Sequence, residues 1–174
     1  MGSLVKPEPV KLIAGFIYKD EGSLERTQGI LCRYFGSIDH QSRPIDFSST
    51  GYYPREMGAG LKKRFVSFSR LIRQDSLARI KILTNKIEKR LSCKGCRTVN
   101  IDPGYLTSAK LVLASTKDYS HRIYLEKGIF AEITLSFRGK SFLPLDWTYP
   151  DYRTAEYIEV FNKIREIYTQ QLRK

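Results

Sequence analysis

The sequence contains little cysteine and no long apolar segment. Cys32, Cys93 and Cys96 are an odd number and too few for the disulfide framework of a small secreted domain. The first ten residues, MGSLVKPEPV, lack the apolar core of a signal peptide. Nowhere do about 18 apolar residues occur together, which is the length that a membrane-spanning helix needs. We therefore expect a cytoplasmic protein with no membrane insertion.

The common nucleotide-binding motifs are also missing. The sequence has no G-x-x-x-x-G-K-[ST] and no G-x-G-x-x-G between a strand and a helix, which excludes a P-loop and a dinucleotide fingerprint. A G-x-S-x-G elbow is absent, so covalent acyl transfer is a poor interpretation. The segment Asn85-Lys86-Ile87-Glu88 imitates the guanine-reading Asn-Lys-x-Asp of GTPases. It falls in the middle of a predicted helix and has Glu for Asp, so we interpret it as helix surface.

Cys93 and Cys96 have the spacing of half a zinc site or of a redox pair. Only Cys32, His40 and His121 remain as soft ligands, and none of them forms a second close pair. The cysteine pair follows a predicted helix, whereas a redox motif should begin one. A plain turn is the main interpretation; a metal shared with another chain and a redox pair are the alternatives.

The chain has few acidic residues in comparison with its basic ones. It carries 30 Lys and Arg but only 18 Asp and Glu, a formal net charge of +12. Thirteen of the basic residues fall within 55–97, where Glu56, Asp75 and Glu88 are the only acids. A concentrated positive field attracts phosphates of nucleotides or nucleic acids. The alternative is a solvated basic face without a partner.

The order of apolar patterns predicts an α+β fold in a single domain, 1–174, with an extended lead-in at 1–9. Strands and helices alternate early, and strands then follow one another before a last helix, which favours a mixed or mostly antiparallel sheet covered by helices. A ferredoxin-like split is one candidate topology. The interval 37–60 is predicted to be a loop, with a short strand at 45–47. The predicted main elements are strands at 11–18 and 61–72, helices at 24–35, about 75–91 and about 154–172, and a hairpin of strands 121–125 and 129–137.

The helix at 75–91 should bury an apolar stripe and expose its cations. Apolar residues at helical spacing predict the buried stripe of this helix, and the basic residues fall at the positions between them. This assigns Arg79, Lys81, Lys86, Lys89 and Arg90 to the other faces of the helix.

The hairpin carries two chemically interesting side chains. A three-residue loop, Glu126 to Gly128, would pair Arg122 with Glu132 on one face and place His121 opposite Ile133 on the core-facing side. Glu132 is therefore interpreted as the cross-strand partner of Arg122 rather than as a general base.

A candidate site surrounds the segment 100–122. Asp102 is predicted to end a strand at the Pro103-Gly104 turn, and Lys117 and Asp118 lie in the loop before the hairpin. Lys117 and Arg122 could clamp a phosphate, and His121 could transfer a proton near neutral pH. Asp102 and Asp118 could hold a divalent metal ion through oxygen, and both are also candidate catalytic residues. The alternative is ordinary capping and ion pairing at strand ends.

Two tyrosine-rich loops could contribute to the same site. TGYYPREMG supplies Tyr53 and Glu56 as candidate ligand-binding residues, and DWTYPDY has a similar composition. Aromatic loops with acids can stack a base or a sugar and bind its hydroxyls. Such loops also serve as the hydrophobic lid of a small core.

Several segments taken together resemble a known family. They are TGYYPREMG, TNKIE, VNIDPGYL, LVLASTKDYSHRIYL, GIFAEITL and WTYPDYR, in this order. In this combination the chain is similar to domain-of-unknown-function family 4416 over nearly its whole length. The resemblance implies a small single-domain prokaryotic protein. Some members of the family are labelled GTP-binding, but no activity is implied.

Two hypotheses follow. The first is a protein that binds a phosphate-bearing small ligand such as a nucleotide around 100–122, and it requires the candidate side chains to converge in one pocket. The second is an RNA- or DNA-binding module that uses the basic 55–97 surface.

Overall fold

A continuously apolar strand, Val10–Tyr18 (β1), forms the centre of the sheet in the computed structural model. All nine of its residues are buried, as its composition predicts. The structure describes residues 2–47 and 52–173. The elements after β1 are α1 (Glu21–Phe35), β2 (Ile38–Gln41), β3 (Ile45–Asp46), α2 (Tyr52–Met57), β4 (Lys62–Ile72), α3 (Leu77–Leu91), β5 (Val99–Leu106), β6 (Lys110–Ser115), β7 (Ile123–Glu126), β8 (Ile129–Arg138), β9 (Ser141–Pro144) and α4 (Ala155–Leu172).

The strands form one sheet in the order β2-β4-β1-β5-β6-β8-β7, with β3 also paired to β4 and β9 to β8. Every pair among the described strands is antiparallel. The first four strands of this order, with α1 and α3 as the two connecting helices, have the ferredoxin-like split topology. The α+β class is therefore confirmed, and β6 to β9 extend the sheet beyond that unit.

Helices cover both faces of the sheet. On one face, Leu31 of α1 and Ile87 of α3 pack with Phe16 of β1 in one core cluster. On the opposite face, Phe161 of α4 packs with Phe65 of β4 in a second cluster. The period of two along β1 and β4 distributes their side chains between these two cores.

The helix limits follow from local capping. The Asp20 carboxylate accepts the N–H of Ser23 at 2.8 Å at the start of α1, and Gly36 ends that helix with φ of 84°. The Thr154 hydroxyl accepts the N–H of Tyr157 at the start of α4. The predicted helices at 24–35, 75–91 and 154–172 are confirmed within a few residues. No helix in the described part of the chain is long and apolar enough to cross a membrane.

The interval 37–60 is more regular than predicted. The short strand predicted at 45–47 is present as β3, and the interval also contains β2 and α2, although residues 48–51 of the predicted loop lie outside the described part of the chain. The short strands form because β4 is 11 residues long and offers them its free edge, where Ile38 pairs with Phe68 and Ile45 with Lys63. Tertiary pairing of this kind overrides a weak local pattern.

The prediction that Asp102 ends a strand is wrong. Asp102, Pro103 and Gly104 continue β5, where they pair with β1. The N–H and the carbonyl of Ile101 point away from β1 and bond to α3 side chains. Because the backbone groups of residues two apart in a strand point the same way, the nitrogen of Pro103 also points away from β1. A missing N–H at Pro103 therefore costs no bond to β1, which explains why proline is tolerated there.

A close crossing at Gly104 sets the gap beside β5. β5 and β6 pair only from Gly104–Leu113 to Leu106–Leu111, so the first half of β5 has no strand on that side. A Cβ at Gly104 would lie 2.4 Å from the Val112 carbonyl oxygen, which only glycine avoids. β6 continues along β8 as far as Ser115, and a cleft opens between β6 and the unpaired half of β5.

The hairpin register is confirmed in part. Ile123 pairs with Ala131 and Tyr124 with Phe130, but Glu126 rather than Leu125 faces Ile129. Lys127 and Gly128 both have positive φ, so the loop has two residues and the extra residue is accommodated at a register shift.

The residues before β7 are not strand residues. His121 and Arg122 precede Ile123, so they form no ladder pairs with Ile133 and Glu132. The face that was predicted to be core-facing is open here, since Ile123 is 70% exposed.

Candidate functional site

A cleft of about 420 Å³ lies where β5 and β6 diverge. Its floor comes from α3, one wall from β1, β4 and β5, and the other from the end of β6 with β8. Its lining combines basic, acidic and aromatic side chains: Ile17, Phe47, Tyr53, Lys63, Lys81, Asn85, Glu88, Arg97, Asn100, Asp102, Leu113, Ala114, Ser115, Thr116, Lys117, Arg122, Glu132, Tyr149, Asp151 and Tyr152.

Two polar side chains of α3 replace the missing strand at the floor of the cleft. Lys81 Nζ donates to the Ile101 carbonyl at 2.9 Å, and a Glu88 carboxylate oxygen accepts the Ile101 N–H at 2.7 Å. Both side chains are buried, so the prediction that Lys81 lies on an outer face of the helix is wrong. The open edge of β5 requires a donor and an acceptor, which explains why charged residues are buried here.

The same finding changes the interpretation of Asn85 to Glu88. The segment lies within α3, as predicted, but Glu88 is buried and both Asn85 and Glu88 line the cleft. It is therefore not helix surface throughout.

Asp102 belongs to the wall formed by β1, β4 and β5, which we call the inner wall, and it lies between Lys63 and Lys81. Its Oδ2 is 3.3 Å from Lys63 Nζ, and its Oδ1 is 3.7 Å from Lys81 Nζ. The Asn100 amide also donates to Oδ2 at 3.1 Å. Burial acts to raise the pKa of Asp102, but the two ammonium groups and these hydrogen bonds outweigh it and hold the pKa below its usual value. The side chain is 27% exposed, so its carboxylate can be reached from the cleft.

Lys63 is packed among aromatic rings. Its side chain is 2% exposed, and its Nζ lies 5.5 to 5.7 Å from the ring centroids of Phe47, Phe65 and Tyr152. Cation–π contacts of this kind hold an ammonium group whose charge is also balanced by a carboxylate. Gly15 on β1 makes room for this arrangement, because a Cβ there would lie 3.2 Å from Lys63 Cε.

Arg97 connects the inner wall to α2. Its Nε donates to Glu56 at 2.8 Å, and its Nη1 donates to the Asn100 side chain at 2.6 Å. The hydrogen bonds from Arg97 hold the pKa of Glu56 below its usual value, against a smaller effect of burial. We call the connected set Glu56, Arg97, Asn100, Asp102, Lys63 and Lys81 the inner network.

A second set of polar contacts, the outer network, forms the opposite wall. It consists of Ser115, His121, Arg122, Glu132 and Thr134. Arg122 Nε donates to Glu132 at 2.7 Å, and Arg122 Nη1 donates to the Ser115 hydroxyl at 2.7 Å. The Thr134 hydroxyl donates to the other Glu132 oxygen at 3.2 Å. The Arg122 and Glu132 side chains are only 4% and 3% exposed. The predicted ion pair between them is therefore confirmed, although Arg122 precedes the strand.

Two further acids at the cleft have raised pKa values. Burial raises the pKa of Glu88 despite Lys81 and the Ile101 N–H, and burial likewise raises the pKa of Asp151 despite Lys63. The cleft thus lowers the pKa of one carboxyl group, Asp102, and raises the pKa of two others, Glu88 and Asp151. Such a separation of pKa values is typical of sites that bind or transfer protons.

The structure brings together four of the seven candidate site residues. Tyr53, Asp102, Lys117 and Arg122 all line the cleft. Glu56 contacts the lining residue Arg97 and does not line the cleft itself.

His121 and Asp118 are placed differently. His121 Nε2 lies 3.3 Å from Glu132, and its ring stacks on Trp147 with centroids 5.8 Å apart, so it reaches the cleft only through Glu132. Asp118 is exposed and is not a lining residue. Among the described residues no group of three or more His, Cys, Asp or Glu side chains could hold a metal ion. The predicted roles of these residues stay predictions.

Several lining residues were not predicted from the sequence as residues of this site: Lys63, Lys81, Glu88, Arg97, Asn100 and Asp151. One available signal is the helical spacing of Lys81, Thr84 and Glu88, which gives α3 a buried polar stripe next to its apolar one. Lys63 of β4 lies next to Asp102 of β5 because both strands pair with β1 in a particular register. The sequence has no comparable signal for that register.

The comparisons with known proteins agree with the resemblance of the sequence. No curated protein and no solved structure matches the chain. One family model, described as "Domain of unknown function (DUF4416)", matches residues 8–168, which is nearly the whole chain. The chain therefore belongs to this family.

Proposed function

We propose that the cleft binds a small phosphate-bearing ligand such as a nucleotide. The observation that supports this most directly is that five basic side chains, from both walls and the floor, line one cleft: Lys63, Lys81, Arg97, Lys117 and Arg122. Lysine and arginine are the side chains that recognise phosphate, arginine by a planar fork of donors.

The size and the rim of the cleft support a ligand of this kind. Small-molecule pockets have volumes of roughly 300 to 1,000 Å³, and this cleft has about 420 Å³. Tyr53 and Tyr149 line it, and tyrosine rings can stack on a nucleobase. Four acids, Glu88, Asp102, Glu132 and Asp151, balance most of the positive charge. A ligand with hydroxyl or amino donors as well as phosphate fits this mixed lining better than a bare anion.

The experiment is a thermal-shift screen of the full chain. The panel contains nucleotides, sugar phosphates and inorganic phosphate, each with and without a divalent ion. A ligand at a hundred times its Kd stabilises the folded state by about 2.7 kcal/mol. We expect a hit among the organic phosphates and a smaller shift with inorganic phosphate. No shift with any phosphate compound would contradict the proposal.

Two matched variants locate the binding site. Lys117 is an exposed lining residue, so Lys117→Gln should weaken the hit with little loss of stability. Lys140 is also exposed but lies in the turn between β8 and β9, away from the lining residues. Lys140→Gln should leave the hit unchanged, and an equal loss in both variants would point to a nonspecific effect of charge.

Nucleic-acid binding is the second candidate function. Lys86, Lys89 and Arg90 are exposed at neighbouring positions of α3, while Lys63 and Lys81 from the same basic segment are buried at the cleft. A triple change of these exposed residues to Gln should weaken RNA or DNA binding and reduce its salt dependence if this surface is used. Binding that is absent or insensitive to salt would exclude this function.

A cytoplasmic location is part of the same proposal. Cys32, Cys93 and Cys96 are all free thiols in the structure, as expected in a reducing compartment. Detection of the protein in a cytosolic fraction would test this assignment.

A further inference from the structure

The cysteine pair lies outside the cleft, in the connection between α3 and β5. The Cys93 N–H donates to the Cys96 carbonyl and the Cys96 N–H donates to the Cys93 carbonyl, both at 2.9 Å. Lys94 and Gly95 between them have φ of 51° and 79°. Two consecutive residues with positive φ, closed by this pair of bonds, form a tight hairpin turn of the type I′ class. The predicted turn is thus confirmed, and it has a defined geometry.

This geometry brings the two sulfur atoms to the same side of the hairpin. In a mutually hydrogen-bonded antiparallel pair the Cα atoms lie about 5.5 Å apart and the side chains face the same way. A disulfide needs a Cα separation of roughly 4.4 to 6.8 Å and a Cβ separation of roughly 3.5 to 4.5 Å. The backbone spacing is therefore suitable, and the Cβ atoms need to approach by about 1 Å at most. Both cysteines are exposed, so no packed neighbour opposes that movement.

The remaining soft ligands do not complete a metal site with this pair. Among the described residues no third His, Cys, Asp or Glu joins Cys93 and Cys96 in a group that could hold a metal ion. Cys32 lies on α1 and packs against the core cluster of the α1–α3 face. A two-thiol site with exposed sulfurs and a short closing distance is better suited to disulfide formation than to metal binding by one chain.

We propose that Cys93 and Cys96 form a reversible intramolecular disulfide by exchange with a low-molecular-weight disulfide. One cysteine thiolate attacks the small disulfide, its S–S bond breaks, and one small thiolate leaves and takes up a proton. The second cysteine thiolate then attacks the protein sulfur of the mixed disulfide and releases the other small thiol. Two cysteine thiols are oxidised, and one small disulfide is reduced to two thiols.

The position of the pair explains why this bond would be readily reduced again. The Cβ spacing of a hydrogen-bonded pair is wider than the disulfide optimum, although its Cα spacing is suitable, and strained or exposed disulfides are the labile ones. Arg97 of the inner network directly follows Cys96, so the bond would close one residue from the wall of the cleft. The proposal itself does not depend on any ligand of the cleft.

The test equilibrates the full chain in buffers of reduced and oxidised glutathione, alkylates the remaining thiols and measures peptide masses. We expect Cys93 and Cys96 to become protected together, with the loss of two hydrogens, and dithiothreitol to reverse it. Cys32→Ser, the matched control, should behave like the natural chain. Cys93→Ser should instead leave a stable glutathione adduct on Cys96. Stable adducts on the natural chain, no oxidation, or a disulfide between two chains would overturn the proposal.

A second variant tests the turn geometry without removing a thiol. Gly95→Val places a β-branched residue at φ of 79°, which should lower the fraction of closed disulfide at a given redox ratio by roughly fivefold or more. An unchanged fraction in this variant would show that the hairpin does not bring the thiols together, and it would count against the proposal.

Discussion

The two walls of the cleft balance their charges in different ways. In the inner network Asp102 is shared by two lysines and remains 27% exposed. In the outer network Arg122 and Glu132 form a close pair with at most 4% exposure of either side chain. The inner network joins α2, β4, α3 and β5, whereas the outer network joins only β6, β8 and the loop before β7.

This difference separates structural charge from usable charge. A sealed pair such as Arg122–Glu132 is costly to disturb, because each member would leave the other buried and unneutralised. A shared, partly exposed carboxylate such as Asp102 can give up part of its contacts when a ligand anion arrives. We infer that the outer wall maintains the shape of the cleft, whereas the ion pairs of the inner wall rearrange when a ligand binds.

The largest effect is expected from breaking the sealed pair. Glu132→Gln keeps the shape of the side chain but leaves the Arg122 charge buried, which should lower the free energy of unfolding by roughly 3 to 5 kcal/mol. Denaturant titration measures this loss. Glu159→Gln is the control, since its pair with Lys163 is exposed and should contribute under about 0.5 kcal/mol. Equal losses in the two variants would contradict the distinction between the walls.

The next effect concerns the crossing that opens the cleft. Gly104→Ala would place its Cβ 2.4 Å from the Val112 carbonyl, so β5 and β6 would have to separate. We expect a loss of roughly 1 to 3 kcal/mol in thermal or denaturant unfolding, as for other overpacked sites. Gly29→Ala is the matched control, because it lies exposed in α1 with open space around it and should be neutral or stabilising. A neutral Gly104→Ala would show that this approach does not set the gap.

Changing Asp102 should alter ligand binding in an informative direction. Asp102→Asn removes the carboxylate that competes for Lys63 and Lys81, so the phosphate ligand from the screen should bind about tenfold more tightly, or by about 1.4 kcal/mol. Isothermal titration calorimetry measures this change. Glu132→Gln, if folded, should give a smaller gain because its partner Arg122 is also held by Ser115 and the Lys117 carbonyl. Weaker binding in Asp102→Asn would indicate that the carboxylate contacts the ligand directly.

The smallest effects concern pH and have opposite signs for two acids. The folded-state pKa of Asp102 is below the ordinary 3.8, so its contribution to stability is present above that pH and is lost as the pH falls through the folded pKa. The folded-state pKa of Glu88 is above the ordinary 4.5, so stability falls as the pH rises from 4.5 through the folded pKa.

Two variants check these signs by unfolding as a function of pH. Asp102→Asn should flatten the stability curve on the acid side, and Glu88→Gln should reduce the decline above pH 4.5, to which Asp151 also contributes because its pKa is raised as well. If Asp102→Asn instead changed the decline above pH 4.5 and Glu88→Gln changed the acid side of the curve, the pKa directions of the two acids would be contradicted.

The main elements of the fold could be predicted from the sequence because their signals are local. β1 is continuously apolar, α1 has its Asp20 cap and its Gly36 end, and the stripe of α4 repeats at helical spacing. β2 could not be predicted because it depends on the edge of β4, whereas β3 coincides with the short strand that was predicted at 45–47. Pro103-Gly104 indicates a turn in isolation but continues β5, since the neighbouring strand is absent on the side that lacks the N–H.

The sequence predicted where the candidate site lies better than it predicted which residues form it. Asp102, Lys117 and Arg122 were identified because polar residues at strand ends mark sites, and all three line the cleft. Lys63 and Lys81 were assigned to the basic surface, because charge alone does not show which lysines face the Asp102 carboxylate. His121 was placed by the parity of a strand that begins only at Ile123.

The central claim is that the ligand binds between the two walls of the cleft. Backbone amide chemical shifts, recorded while the phosphate ligand from the screen is titrated into the isotope-labelled chain, test it most directly. We predict that the largest changes fall on Asn100 to Asp102 and on Ser115 to Lys117, on opposite sides of the cleft. Changes confined to the exposed face of α3 at Lys86, Lys89 and Arg90 would contradict the claim.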